Sequence, residues 1–345
     1  MAKYYISSMD GLSGICKYSR DFFELVLKPK GFQFVDSALP VTEILSRVSS
    51  RDQVHIELGI FQKQEIEVAK LMIKANYRHV SVTLHDPPLI WYPFRSFKNP
   101  LLNTLSKLAD IIGPARTSAI SFAHKLEAIY VLSRKGLTAV KNRYGIKHAY
   151  YLPHIIDIAD LDTSEKQTQE NNLLYFGFIG KNKGVEYSLK LHRHILKTYP
   201  DVKLLVVGKA IGKELDYYEN LRHEYSTNVE YLGYIPDKDL KEVFDRATFS
   251  VIPFRSYRFY WPVSGSVLYS LKKGQVTLSN NVNAVSEIIR DGQNGLMLTG
   301  RLEKDARTMV KLFSDKVRTG EIRAKAVSYL RENHNAAEVS KNYKG

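Results

Sequence analysis

The chain has 345 residues, with 50 Lys and Arg against 36 Asp and Glu, a formal charge of +14. Hydrophobic residues make up 44% and charged residues 25%, the balance of a globular chain with two domains of roughly 150 residues each. No apolar run of about 18 residues exists, so no membrane-spanning helix is expected; Cys16 is the only cysteine, which rules out an internal disulfide and argues against a thiolate metal site.

Along the first half, KYYISS (3–8), QVHIEL (53–58), HVSVTLH (79–85) and AISF (119–122) read as buried strands, with helical stretches such as 18–28 and 64–75 between them. This alternation predicts a parallel sheet wrapped by helices. The polar stretch DIADLDTSEKQTQENN (157–172) reads as a linker. The pattern then resumes with LLYFGFIG (173–180), KLLVVGK (203–209), VEYLGYI (229–235), FSVIPF (249–254) and QVTLSNN (275–281). Helices are expected at 184–198, 214–225, 237–246 and 265–273. The expected fold class is therefore α/β: two Rossmann-like, doubly wound domains, 1–156 and 173–321, facing a cleft. Open parallel sheets bind ligands beyond the carboxyl ends of their strands, so the chemistry is sought in the strand-end loops.

Four loops stand out. SSMDGLSGICKYS follows the first strand, and Gly11 and Gly14 allow close backbone approach to a ligand there; an ordinary tight turn has the same sequence. GFIGKNKG groups Gly177, Gly180 and Gly184 with Lys181 and Lys183. Amides with two cations suit a diphosphate, and a turn with solvated lysines is the plainer alternative. Neither loop is the G-x-G-x-x-G dinucleotide fingerprint or a Walker loop. TLHDPP puts His85 and Asp86 at a strand's carboxyl end, where a histidine can bond a sugar hydroxyl or a leaving group. His154, in YLPHIID, has a weaker claim and is expected to shape a hinge.

Residues 95–147 hold ten Lys and Arg and only two acids, Asp110 and Glu127, after the aromatic run WYPFRSF. A nucleic acid, an anionic membrane or a phosphorylated substrate would suit such a block, as would plain solvation. No nucleic-acid-binding module is recognisable.

The ordered series SGI..YS, VTLHD, LPHIID, YFGFIG…KG, LLVVG, VEYLGYIPDKDL, IPF and SEIIRDGQNGL resembles the GT-B fold glycosyltransferases, specifically family 4 of the retaining type. The resemblance covers most of the chain and is densest over 173–298. It implies a nucleotide-diphospho-sugar donor held mainly by the second half. Lys183 matches the family's diphosphate lysine and Gly14 its first-half glycine. The base and ribose would lie near Gly233, Tyr234 and Ile235. The family's loop arginine is replaced by Phe178, and Lys181 is the cation left to stand in for it, without the bidentate geometry of arginine. The resemblance also implies a final helix, about 322–343 within a segment 322–345, crossing back to the first domain.

One departure stands out. The family's two glutamates, eight residues apart, align with Trp261 and Tyr269, neither acidic. In their place Ser264, Gly265 and Ser266 form a polar turn at a helix start, whose hydroxyls and amides would hold phosphate or ribose, with Tyr269 one turn further on. Glu287, in VSEIIRDG, is either the missing carboxylate or a favourable acid in a first helical turn. The loop NNVNAV (280–285) would face the sugar. A retaining reaction in which the leaving diphosphate itself takes the acceptor's proton needs cations and amides more than a carboxylate, so the glutamate pair is dispensable and no metal or other cofactor is expected.

The function expected is thus transfer of a sugar from a nucleotide-diphospho-sugar to a glycan or lipid-linked glycan, by a retaining, metal-independent hexosyltransferase of polysaccharide or cell-envelope biosynthesis. It would work in the cytoplasm, peripheral at the inner face of the membrane through 95–147, and bind no nucleic acid; the N-terminus MAKYYISSMDG lacks a secretion signal's apolar stretch. The alternatives are a catalytically inactive sugar- or partner-binding subunit and a nucleotide-sugar 2-epimerase.

Overall fold

The structure, a computed structural model, describes residues 1–11, 13–60, 62–90, 114–159, 161, 171–255 and 260–345, with the backbone alone at 114–116. Most of the expected linker and the start of the basic window, with Arg95, Lys98, Lys107 and the side chain of Arg116, lie outside these residues. The chain forms two compact units: Met1–Ile155 with Phe259–Val263 and His334–Gly345, and Ile156–Arg258 with Ser264–Asn333.

The first unit is a parallel sheet in the order β2-β1-β3-β4-β5-β6. Its strands are β1 (Lys3–Ser7), β2 (Phe32–Asp36), β3 (Gln53–Leu58), β4 (Val80–Leu84), β5 (Ala128–Val131) and β6 (Ala149–Tyr151). Helices cover both faces, so β3 and β4 are buried along their whole length. On β3, Val54, Ile56 and Leu58 enter one apolar cluster with Val82, Leu84 and Met72. The alternation of a strand then turns His55 and Glu57 to the opposite face, against the aromatic cluster of Tyr5, Tyr18, Phe22 and Tyr130.

Residues 119–122 are helical, not a strand: they lie in the helix Pro114–Lys125. Ala119, Phe122 and Ala123 are its buried residues, spaced three and four apart as one helical face requires. The strand next to β4 is AIYV of β5, a few residues later. β2 and β6, both edge strands, are additional to the expected set.

The second unit is another six-stranded parallel sheet, in the order β12-β11-β10-β7-β8-β9. Its strands are β7 (Leu173–Phe176), β8 (Leu204–Val207), β9 (Val229–Gly233), β10 (Phe249–Val251), β11 (Val276–Asn280) and β12 (Leu296–Leu298). Numbered from β7, this is the dinucleotide-fold order 3-2-1-4-5-6, with its topological switch point between β7 and β10. Two helices stand where one was expected near the C-terminus. Lys316–Asn333 belongs to the second unit, and Ala336–Asn342, capped by Asn335, to the first.

Candidate active site

In the second unit the loops after β7 and β10 meet at the switch point. After β7 the chain forms a single 3-10 turn, Lys181–Lys183, and then the helix Val185–Ile195. Gly184 joins them in the left-handed region, with φ of 73°, and a β-carbon there would run into the Pro253 carbonyl oxygen. The Arg255 amide donates to the Asn182 carbonyl (3.1 Å), locking the two loops together. From the next strand, Asn280 accepts from the Phe254 amide (2.7 Å) and donates to its carbonyl (2.5 Å). Of the 280–285 loop, Asn280 is thus committed to positioning the β10 loop. The Lys181 amide donates to Glu214 Oε2 (3.0 Å) and its Nζ lies 5.7 Å from the Tyr217 ring; Lys183 Nζ lies 5.9 Å from the Phe254 ring. A cavity of about 200 Å³ opens beside this junction, lined among others by Lys181, Gly184, Pro253, Phe254, Arg255 and Asn280.

The serine turn comes to the same strand end. Ser264 caps the helix Gly265–Lys272, its Oγ accepting from the Val267 amide (3.2 Å). Ser266 Oγ lies 2.8 Å from where a β-carbon on Gly177 would be. The structure therefore brings together Gly177, Ser264, Gly265 and Ser266 at the end of β7, shortly ahead of the Lys181–Lys183 turn.

The remaining donor candidates differ in setting. Tyr234 is 49% exposed just beyond β9, while Ile235 packs on the apolar cluster of Leu205, Val207 and Leu240. Tyr269, expected among the donor contacts, is a core residue, 6% exposed, its ring 5.3 Å from Phe176 and 5.5 Å from Phe244. The residues from Val267 to Lys272 are all buried, so one turn into the helix the chain is already inside the domain. Glu287 sits half-buried on the four-residue helix Val285–Ile288, its carbonyl accepting from the Tyr329 hydroxyl (2.8 Å).

In the first unit, Ser13 caps the helix Gly14–Phe22 and accepts from the Cys16 amide (3.2 Å). Gly14 is exposed, with nothing within 4 Å of a built β-carbon. Asp86 accepts from the Ile60 amide (2.9 Å) and so ties the β4 loop to the β3 loop.

His85 is 8% exposed, and its Nε2 lies 2.7 Å from Glu57 Oε2. Glu57 is fully buried. It also accepts from the Tyr5 hydroxyl (3.0 Å) and lies 3.4 Å from His55 Nε2. Burial alone would raise its carboxyl, yet the bonds from His55 and His85 outweigh burial and hold it at about 2. His55 is fixed in turn by Ser81 Oγ and Thr83 Oγ1, each at 2.8 Å. The Tyr18 ring stands edge-on to His85 (4.8 Å) and to His154 (4.9 Å). His154 bonds the Ile155 carbonyl through Nδ1 (2.8 Å), and His334 Nδ1 donates to the His154 carbonyl (2.7 Å).

Sequence reasoning singled out His85 as a candidate and did not single out Glu57, His55 or Tyr5, the buried group it joins. The signal was present in QVHIEL: two ionisable residues alternating with apolar ones in a strand between apolar neighbours. Buried charges need partners; besides His55 on the same strand, those of Glu57 are Tyr5 on β1 and His85 at the end of β4.

Residues 158–332 match the profile of the glycosyl transferases group 1 family. That is just over half of the chain, and the chain belongs to this family. No curated protein sequence matches it significantly. Among solved structures it resembles Anabaena Alr3699/HepE in complex with UDP, at 14% identity over 99% of this chain and 98% of that one, with a TM-score of 0.72. A glycosyltransferase from Rickettsia africae ESF-5 gives 12% identity, 99% and 96% coverage and 0.67. Staphylococcus aureus TarM, solved with fondaparinux, α-GlcNAc-glycerol and UDP, gives 13% and 0.66, and this chain spans 57% of its length. Together they show the fold: two Rossmann-like α/β domains of the GT-B class. Among the described residues no helix is long and apolar enough to cross a membrane.

Proposed function

We propose that the chain is an active, retaining glycosyltransferase that takes a hexosyl group from a nucleoside-diphosphate donor. The observation that carries this is the junction of Lys181–Gly184 with Pro253–Arg255 at the switch point of the second sheet, beside Gly177 and the serine turn. Amides and lysine cations there suit a diphosphate. The donor's anomeric C–O bond to phosphate breaks, the acceptor oxygen bonds the same carbon on the same face, and its proton passes to the leaving phosphate oxygen. Cations aimed at the phosphate stabilise the charge that develops there, so the reaction proceeds without a metal and without the family's glutamate pair. His85 is the first unit's contribution, bonding an oxygen of the sugar. Gly14 supplies amide-rich backbone. Ser264, Gly265, Ser266, Lys181 and Lys183 hold the diphosphate, and Tyr234 with Ile235 borders the base. Glu287 stays a candidate for the ribose.

The acceptor in this reading is a glycan or lipid-linked glycan of the cell envelope, met at an anionic membrane surface through 95–147. Four exposed cations of that window, Arg134, Lys135, Lys141 and Lys147, lie on or just beyond the helix Arg134–Tyr144, in support of such a surface. Uridine diphosphate, the nucleotide solved with Alr3699/HepE, is the first to test, against GDP, ADP and dTDP, by thermal shift and then by turnover of the matching sugars. A native-state ligand raises the melting temperature. Binding without turnover on any sugar would favour the inactive-subunit reading, for which the replacement of the glutamate pair by Trp261 and the core residue Tyr269 is the motive.

A further inference from the structure

Glu57 is a buried ionisable side chain that the transfer chemistry does not itself use. It lies on a central strand, fully enclosed, where an acid without partners would be strongly destabilising. Two histidines and a tyrosine surround it, one of them His85 at 2.7 Å. An ionised carboxylate only accepts hydrogen bonds, so in this pair His85 Nε2 carries the hydrogen. In the neutral ring that makes Nδ1 an acceptor. Tyr18, edge-on at 4.8 Å, limits rotation of the ring, and the His85 amide, bonded to the Leu58 carbonyl (2.9 Å), fixes its backbone.

We propose that Glu57 is a positioning residue that locks His85 in the Nε2–H tautomer and leaves Nδ1 to accept a hydrogen bond from a hydroxyl of the bound sugar. This rests on the transferase reading above, in which His85 meets the donor. His55 and Tyr5 hold the other carboxylate oxygen, so the carboxylate cannot swing away from His85: the Tyr5 hydroxyl and His55 Nε2 both address Oε1, while His85 addresses Oε2. A glutamine at 57 would not do the same work. Its amide presents either an oxygen or an NH₂ group to Nε2 and no longer dictates the tautomer.

The test is a double-mutant cycle on the full-length protein with the nucleotide sugar it turns over, using E57Q, H85N and the pair. Glu57 acting through His85 predicts that E57Q lowers kcat about ten-fold or more in the wild-type background, leaves donor KM unchanged, and costs less than about two-fold when His85 is already Asn. A purely structural Glu57 predicts equal losses in both backgrounds, and that result overturns the proposal while leaving the transferase reading in place. A wild type that transfers no sugar overturns both. Should E57Q not fold, ring-nitrogen NMR of the histidine-labelled wild type decides: a neutral His85 with its hydrogen on Nε2 upholds the proposal, and one with its hydrogen on Nδ1 refutes it.

Discussion

Ser266 Oγ occupies the space that a side chain on Gly177 would need, 2.8 Å from the position of its β-carbon. The two serines of the turn therefore have separable duties. Ser264 caps the helix in addition to its place at the diphosphate, so Ser264→Ala is expected to lower stability by about 1 kcal/mol as well as to weaken binding. Ser266 has its hydroxyl at the end of β7, so Ser266→Ala is expected to leave stability nearly unchanged and weaken nucleotide-sugar binding. Urea unfolding and calorimetric titration on the same preparations check both. Equal effects on stability and binding from the two variants would contradict the division.

Gly184 combines a left-handed backbone with a carbonyl of Pro253 directly above it. Gly184→Ala adds both conformational strain and a clash with backbone. Strain alone costs on the order of 1–3 kcal/mol, and the clash should separate the β7 loop from the β10 loop. The expected outcome is a lower unfolding midpoint together with loss of nucleotide binding. An alanine variant of wild-type stability and affinity would show that the junction is not the donor site.

Lys183→Ala tests the diphosphate directly. Loss of a charged hydrogen bond should weaken nucleoside-diphosphate binding by roughly 1.5–3 kcal/mol and leave nucleoside binding unchanged. Unaltered affinity for both ligands would remove Lys183 from the site.

Acid should destabilise this protein below neutrality. Burial holds His154 at about 3, with His85 and His334 adding to the effect, and holds His334 at about 4, both below the ordinary 6.5. The unfolded chain takes up these protons near 6.5 and the folded chain only near 3–4. Stability is thus complete above about pH 6.5 and drains as pH falls toward 4, at up to ~1.4 kcal/mol per pH unit for each histidine. Glu57, held at about 2, acts in the same direction below its ordinary 4.5. Unfolding free energies at pH 7, 6 and 5 should fall in that order, and a flat profile would contradict the assignment.

The membrane reading predicts that charge reversal at Arg95, Lys98, Lys107 and Arg116 releases the protein from anionic vesicles at physiological salt. A variant that sediments with vesicles as wild type does would reduce the basic block to a solvated face.

The second unit was the more legible in sequence, because each of its five expected strands ends in small or polar residues at a loop. LLYFGFIGKNKG and FSVIPF mark the switch point before any contact is known. Tyr269 lies deeper than its place in the motif suggests, because exposure depends on how far into the helix the chain has turned. In the first unit, AISF was misjudged since four apolar and small residues fit either period, and the spacing of Ala119, Phe122 and Ala123 only decides once the burial is seen. The Glu57 cluster was hidden for a different reason. Its members come from β1, β3 and the end of β4, and although QVHIEL shows a buried acid, nothing local tells which residues of the other strands pair with it.

The last residues of the chain complete the first unit. The Tyr343 ring lies 4.8 Å from Tyr130, 5.2 Å from His55 and 5.5 Å from Phe22, and the Lys344 amide donates to the Tyr130 hydroxyl (3.0 Å). During synthesis, residues 1–155 therefore leave the ribosome with an open seam over their aromatic core, which closes only after the whole second unit has been made. A fragment cut at the linker would expose that seam and be sticky, whereas a circular permutant carrying 334–345 ahead of Met1 would close the seam before the second unit is made.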